Sequence, residues 1–344
     1  MELLHPFEYI KAGSISEAVK LCLENPGQAK LIAGGTDILA EIKEGVVQPQ
    51  RVVDLSGIAE LHGIRETEEA LAIGAMTTID EIARHPGVRL RYAALAEAAD
   101  GLGTPQIRNL GTLGGNLNQR PRCWYYRHPL TVCLKKGGDR CHAVDGSSEY
   151  ICVTGGDRCY IVHPSDIAVA LVALDALIEI AGPAGTRILS IEQYFKGPEV
   201  DVTRENVLVP GELVTRVYLQ APVDPGSLTK GRNSLYLKAK ERQSGDFALA
   251  SVAASLTLDR TLDGNVIRHM PVVLGGVAPV PYRARRVEEY LRGRLLADVD
   301  PVHGASLALP GANPIADNGH KVTVDTNLVK RAIIRLLDKV AGGC

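Results

Sequence analysis

Aromatic residues are scarce: one Trp, three Phe and eleven Tyr among 344 residues, or 4% of the chain. No charge of either sign dominates, since 38 Lys and Arg stand against 40 Asp and Glu, for a formal net charge of −2. A polyanion such as nucleic acid finds no electrostatic attraction here. Long apolar runs are missing too. The most apolar stretch, Ile167 to Ile180, is interrupted by Asp175 and Glu179 and falls short of the ~20 apolar residues that cross a bilayer. The opening Met1-Glu2-Leu3-Leu4-His5-Pro6 has no basic region leading into an apolar block. It does not read as a secretory signal, and a cytoplasmic protein is expected. Several chemistry-bearing patterns are also absent: no Walker loop, no GxGxxG, no HExxH, no C-x₂-C step, and no Ser/His/Asp set or paired acid/base carboxylates recognisable by spacing.

Apolar residues at 45% and charged residues at 23% describe an ordinary globular chain, and its length predicts two or three domains of ~150 residues. Glycine is plentiful, with 35 residues, which fits many turns and close backbone approaches. The cysteines are uneven. Of seven, Cys123, Cys133, Cys141, Cys152 and Cys159 fall within 37 consecutive residues, while Cys22 and Cys344 stand apart. In a compartment that keeps thiols reduced, such a crowd reads as metal or cluster ligation before disulfides.

The first 120 residues read as α/β. Helices are expected over Ser14–Leu23 (capped by Ser14 or Ser16), Ile38–Lys43, Thr78–Arg84 (capped by Thr78 with Glu81 three residues on) and the alanine-rich Tyr92–Leu102. Buried strands are expected over Ala29–Ala33, Arg51–Leu55 and Leu71–Ala75. A polar, glycine-rich stretch follows, Thr104–Gln119, and then the cysteine-rich segment, Arg120–Ile161, which lacks periodicity and looks like an excursion from the fold. Regular structure resumes with a helix over Ile167–Leu174 and a strand over Ala176–Ala181. A looser region containing Pro198, Pro210, Pro222 and Pro225 ends near Lys230 and marks a domain boundary. Beyond it, strands over Ser234–Lys240, Ser251–Leu258 and Ile267–Leu274 and helices over Ala284–Leu291 and Thr326–Val340 predict a separate α+β domain.

Two double-glycine segments carry the first chemical signal. In Leu31-Ile32-Ala33-Gly34-Gly35-Thr36-Asp37-Ile38, glycines after a strand can aim successive N–H groups into one space, a nest for phosphate oxygens. Gly111-Thr112-Leu113-Gly114-Gly115-Asn116 repeats the combination of glycines with a hydroxyl and an amide. Either could be a plain turn; together they suggest a clamped pyrophosphate. In the cysteine segment, the intervals between Cys123, Cys133, Cys141 and Cys159 are nine, seven and seventeen residues. Structural zinc favours short paired spacings, whereas a [4Fe–4S] cube tolerates irregular ones because each iron takes one cysteine. Iron–sulfur, zinc and free thiols all stay open. Asp139-Arg140-Cys141 and Asp157-Arg158-Cys159 share a step, while Cys152 lies in the apolar, β-like run Tyr150-Ile151-Cys152-Val153. Cys123, Cys133, Cys141 and Cys159 are therefore the expected ligands, and Cys152 the spare. A charged stretch, Lys238-Ala239-Lys240-Glu241-Arg242-Gln243-Ser244-Gly245-Asp246, reads either as a solvated face or as a lysine reaching an anionic part of a cofactor. His163, before Pro164, reads as structural.

Ala33-Gly34-Gly35-Thr36-Asp37, Ile107-Arg108-Asn109 with Thr112-Leu113-Gly114-Gly115-Asn116, Pro164-Ser165-Asp166-Ile167-Ala168, and Lys238 with Arg242 and Asp246 occur in this order along the chain. Together they resemble the FAD-binding medium subunit of the molybdenum hydroxylases, the xanthine dehydrogenase and carbon monoxide dehydrogenase family. In that family the Ser-Asp step closely follows the glycine loop, but here Asn116 and Ser165 lie 49 positions apart. The cysteine segment fills the gap and is similar to the [4Fe–4S] insertion of the 4-hydroxybenzoyl-CoA reductase β subunit.

The resemblance implies an α+β fold: a two-part FAD-binding domain of the vanillyl-alcohol-oxidase (PCMH) type over 1–225, with an iron–sulfur insertion at about 119–162, then a CO dehydrogenase flavoprotein C-terminal-like domain over 230–344. It further implies that Lys30, Leu31, Ile32, Ala33, Gly34, Gly35, Thr36, Asp37 and Ile38, with Gly111, Thr112, Gly115 and Asn116, hold the FAD pyrophosphate. Leu102 and Gly103 would lie near the cofactor, Asp166 would meet its sugar or ribityl hydroxyls, Val214 would pack on the flavin, and Lys238 would approach its polar edge. No residue of this chain is expected to be catalytic. The implied assembly is a dimer of heterotrimers with a small [2Fe–2S] subunit and a large molybdopterin subunit, exchanging electrons with a carrier such as ferredoxin. Reductive dehydroxylation of 4-hydroxybenzoyl-CoA is the best-matching reaction. An aldehyde, N-heterocycle or xanthine-type dehydrogenase is the alternative, and a non-catalytic zinc protein without flavin the second.

Overall fold

The computed structural model describes residues 5–67, 70–220, 233–262 and 264–341. Cys344 and the expected boundary near Lys230 lie outside the described residues. The chain begins with a parallel three-stranded sheet in the order Glu8–Lys11, Arg51–Asp54, Ala29–Ile32. Parallel neighbours need crossover connections, supplied in part by helix Ile15–Glu24, whose Ser14 cap accepts from the Glu17 amide, and by helix Ile38–Lys43. Ala18, Val19, Cys22, Val53, Leu55 and Ile58 form its small core. The strand Ala29–Ile32 is half-buried throughout, because its far edge opens on a cleft instead of a further strand.

The second unit is an antiparallel five-stranded sheet, Ile64–Glu66, Ala70–Gly74, Leu213–Gln220, Leu177–Gly182, Gly185–Ser190. Helix Ile79–Arg84 starts at the expected capping box between Thr78 and Glu81. The expected helix Tyr92–Leu102 is shorter, at Ala93–Asp100, and a separate helix, Pro86–Arg91, ends just before it. In helix Asp166–Ala173 every residue is buried. A helix buried on all sides must be covered on all sides: helices of the second unit, chiefly Ala93–Asp100, cover one, and the C-terminal sheet the other, where Ser255 Oγ donates to the Ala173 carbonyl at 2.8 Å.

The C-terminal domain pairs a four-stranded antiparallel sheet, Tyr282–Arg283, Val272–Gly275, Ala250–Ser255, Ser234–Ala239, with helices that include His320–Ala341. Two expected strands each prove to be two. Ser251–Leu258 divides into Ala250–Ser255 and Thr257–Thr261, and Ile267–Leu274 into Gly264–His269 and Val272–Gly275; the outer pieces form their own hairpin. Pro271 lies at the second break and has no N–H for a ladder. The last helix begins at His320, six residues before the expected Thr326.

The cysteine segment carries only a short helix, Trp124–Arg127, and a single 3₁₀ turn, Leu134–Lys136. Its β-like run forms no strand. Instead the amides of Val153 and Thr154 donate to the Val277 carbonyl at 2.9 and 3.2 Å, and Val153 joins the C-terminal core. Leu171→Ala, in the helix shared by both domains, should cost about 2–5 kcal/mol, read as a lower midpoint in chemical denaturation.

Candidate functional site

The two glycine turns meet. A Cβ placed on Gly34 would lie 1.7 Å from the Leu110 carbonyl oxygen, so only glycine permits this backbone approach. Gly35 has φ +71°, a conformation that side chains rarely adopt. Between the first and second units lies a cleft of about 610 Å³ lined by Lys30, Leu31, residues 33–38, Thr112, Gly115 and Val214. Around Gly34, Gly35, Thr36 and Asp37 the backbone amides donate to no acceptor among the described residues, which is what an anion at this turn requires.

The second turn differs from an open loop. Gly114, Gly115 and Asn116 lie inside a short helix, Leu113–Leu117, capped by Thr112, whose Oγ1 accepts from the Gly115 amide at 3.2 Å. The Leu113 and Gly114 amides donate to Thr77 and Ala75 carbonyls. Its glycines serve close packing: a Cβ on Gly114 would lie 3.0 Å from that of Ala75. Lys30 lines the cleft with no ion-pair partner among the described residues, and burial followed by the nearby Arg120 lowers its pKa.

Other expected residues lie elsewhere. Asn116 Oδ1 accepts from Ser165 Oγ at 2.5 Å. Asp166 is buried, accepting from Lys238 Nζ at 2.7 Å and Tyr236 OH at 2.6 Å. Asp166 faces a second cavity, of about 300 Å³, with Ser165, Arg242, Phe247 and Cys123. Leu102 packs on the core of the second unit, and the Gly103 carbonyl accepts from the Gly245 amide at 3.2 Å; neither lines the cleft. Ile32 and Gly111 lie behind the lining. Burial pushes His163 down to about 4, and the ring packs edge-on against Phe195.

Among the cleft residues that sequence reasoning missed are Glu41, Arg120 and Tyr126. Tyr126 OH donates to Glu41 Oε1, and Arg120 pairs with Glu205. Arg120 and Tyr126 come from the insertion, and no linear spacing announces that; Glu41, one turn after Asp37, was the readable signal.

Cys123, Cys133, Cys141 and Cys159 line one small enclosed cavity with Tyr126, Lys135 and His142. Cys152 is not among them. It is fully buried beside Lys321, and desolvation pushes its thiol up to about 12. The Cys159 thiol donates to Cys141, which lowers the Cys141 pKa below the usual thiol range and holds the Cys159 proton in place. Among the described residues no carboxylate lines the cavity. Among the described residues, no three His, Cys, Asp or Glu converge as a single metal ion would need; a cube binds its four thiolates through separate irons and needs no such convergence.

A parallel unit and an antiparallel unit closing on a glycine-walled cleft, followed by a sheet-and-helix domain, define an FAD-binding oxidoreductase module. Residues 5–221 match the family described as FAD binding domain in molybdopterin dehydrogenase, and residues 235–337 the CO dehydrogenase flavoprotein C-terminal domain. The chain is 34% identical over 335 residues to the aldehyde oxidoreductase FAD-binding subunit PaoB of Escherichia coli (strain K12), covering 96% of this chain and 97% of that one. It is 29% identical to the carbon monoxide dehydrogenase medium chain of Hydrogenophaga pseudoflava, covering 95% and 96%. A solved structure of carbon monoxide dehydrogenase from the same organism superposes with a TM-score of 0.74 at 27% identity, covering 97% of this chain and 98% of that one. The chain belongs to the FAD-binding medium subunits of the molybdenum hydroxylase family, the CO dehydrogenase and xanthine dehydrogenase type.

Gly34→Ala should weaken FAD binding by about tenfold or more, the scale of an overpacking penalty of ~1–3 kcal/mol, as read by titrating the flavin-free chain with FAD. In metal-free chain, iodoacetamide should label Cys141 at a lower pH than it labels an ordinary thiol, because the thiolate is the reacting form and the bond from Cys159 favours it. Cys152 should stay unlabelled at neutral pH; peptide mass spectrometry checks both.

Proposed function

We propose that this chain is an electron-transfer subunit carrying FAD and a [4Fe–4S] cluster within a molybdenum-cofactor oxidoreductase. One observation carries the cluster: four of the five clustered cysteines surround a single cavity, the fifth is buried outside it beside Lys321, and among the described residues no carboxylate lines that cavity. FAD would supply exchange between paired and single electrons. The chain's own residues would bind and orient. The free amides of Gly34 to Asp37 and the unpaired Lys30 suit a pyrophosphate, and Val214 offers an apolar surface in the same cleft. Tyr126 lines both the cleft and the cysteine cavity, so the two redox sites share a wall. Lys135, buried beside the thiols, is held by Glu205 Oε1 and the Val202 carbonyl and offsets thiolate charge.

Substrate chemistry then belongs to a large molybdopterin subunit, with a small [2Fe–2S] subunit between, in a cytoplasmic dimer of heterotrimers served by a carrier such as ferredoxin. The insertion supports reductive dehydroxylation of 4-hydroxybenzoyl-CoA, with electrons arriving through this chain. A second reading, aldehyde oxidation with electrons leaving through it, is favoured by the 34% identity to an aldehyde oxidoreductase subunit.

Anaerobically purified protein should contain FAD with about four iron and four acid-labile sulfide per chain. Cys159→Ser should lose the iron and keep FAD, while Cys152→Ser keeps both. Flavin without iron, or zinc in its place, overturns the cluster; iron lost only from Cys152→Ser reverses the ligand choice. Assayed as the complex, reductant-dependent dehydroxylation of 4-hydroxybenzoyl-CoA or acceptor-dependent aldehyde oxidation decides the reaction.

A further inference from the structure

Asp37 stands at the junction of the nucleotide turn and the insertion. It precedes helix Ile38–Lys43 in the N-cap position, yet its carboxylate makes no cap bond, which is the usual task of an aspartate there. The side chain is instead turned outward from its own helix. Oδ1 accepts from Arg122 Nη1 at 2.8 Å and Arg127 Nη2 at 2.7 Å, and Oδ2 accepts from the Arg120 amide at 2.6 Å. All three donors come from the inserted segment, on both sides of Cys123. The carboxylate is only 14% exposed, so water screens it weakly.

This arrangement answers a problem the cleft poses. A turn whose free amides await an anion ends in a residue that is itself an anion. An unpaired Asp37 carboxylate beside the cleft would repel a pyrophosphate and oppose the amide nest. We propose that Arg122 and Arg127 are positioning residues of the flavin site: by neutralising Asp37 they make the nucleotide turn receptive to FAD, so the insertion is required for flavin binding as well as for whatever its cysteines hold. The inference rests on the FAD site and not on the cluster. It also explains why the segment's arginines bracket Cys123, since Asp37 thereby fixes the turn that carries that thiol to the nucleotide turn.

The test titrates flavin-free full-length chain with FAD, following quenching of flavin fluorescence. R122Q/R127Q should bind FAD about tenfold or more weakly, because it leaves a partly buried charge uncompensated. Adding D37N to that background removes the charge and should restore affinity to within about threefold, and R122K/R127K, which keeps the charge, should bind nearly as wild type. D37N alone should bind as tightly as wild type or more so. Unchanged affinity in R122Q/R127Q, or failure of D37N to rescue it, overturns the proposal. If the arginine variants do not fold, D37N alone decides: a loss of tenfold would make the carboxylate a direct flavin ligand and the proposal wrong. Wild-type protein that binds no FAD would instead sink the flavin reading itself.

Discussion

Where Gly34 passes the carbonyl of Leu110, two stretches of backbone touch without a side chain between them. The parallel unit and the antiparallel unit can close to this distance only because position 34 has no Cβ. Their closure sets the width of the cleft and leaves the amides of Gly34 to Asp37 facing open space. A larger residue would separate the units and change the width of the cleft that Thr112 and Gly115 also line. The cleft is therefore a property of a seam between two units, walled on one side by backbone amides that have no partner among the described residues.

The insertion is held differently. It has almost no regular structure and a small apolar contribution of its own, so ionic and backbone contacts at its two ends position it. Towards the flavin unit, Asp37, Glu41 and Glu205 receive Arg122, Arg127, Tyr126, Arg120 and Lys135. Towards the C-terminal domain, Val153 enters the core, Asn318 Nδ2 donates to the Cys152 carbonyl at 2.9 Å, and Lys321 Nζ donates to the Ile151 carbonyl at 2.8 Å. Lys321 is fully buried, and desolvation pushes its ammonium down to about 8. Buried ionic contacts of this kind contribute geometry more reliably than net stability. Here the geometry they define is the approach of four thiols to one cavity.

Legibility varied with the range of the determining force. Helix Ile38–Lys43 and the capping box at Thr78 were readable because propensity and caps act within one turn. The breaks inside Ser251–Leu258 and Ile267–Leu274 were not. Each half reads as a good strand, and only the choice of partner sends one half to the domain sheet and the other to a separate hairpin. Gly114 and Gly115 looked like a second open turn; they are helical because Thr112 caps them and Ala75 presses against them, a contact between residues far apart in sequence. Asp166 and Lys238 were read separately in the sequence, and only the fold shows that they are bonded to each other.

From the sequence alone came the family, the order of its units, the position of the insertion and the group of four cysteines with Cys152 set aside, because these depend on residue type and spacing along one chain. The tertiary structure alone decided which amides of the two glycine turns stay free, which residues of the insertion enter the flavin cleft, and where the Asp37 carboxylate points. Those outcomes depend on close approaches and charge pairs between segments tens of residues apart, and nothing in local propensity encodes the distance at which such segments meet.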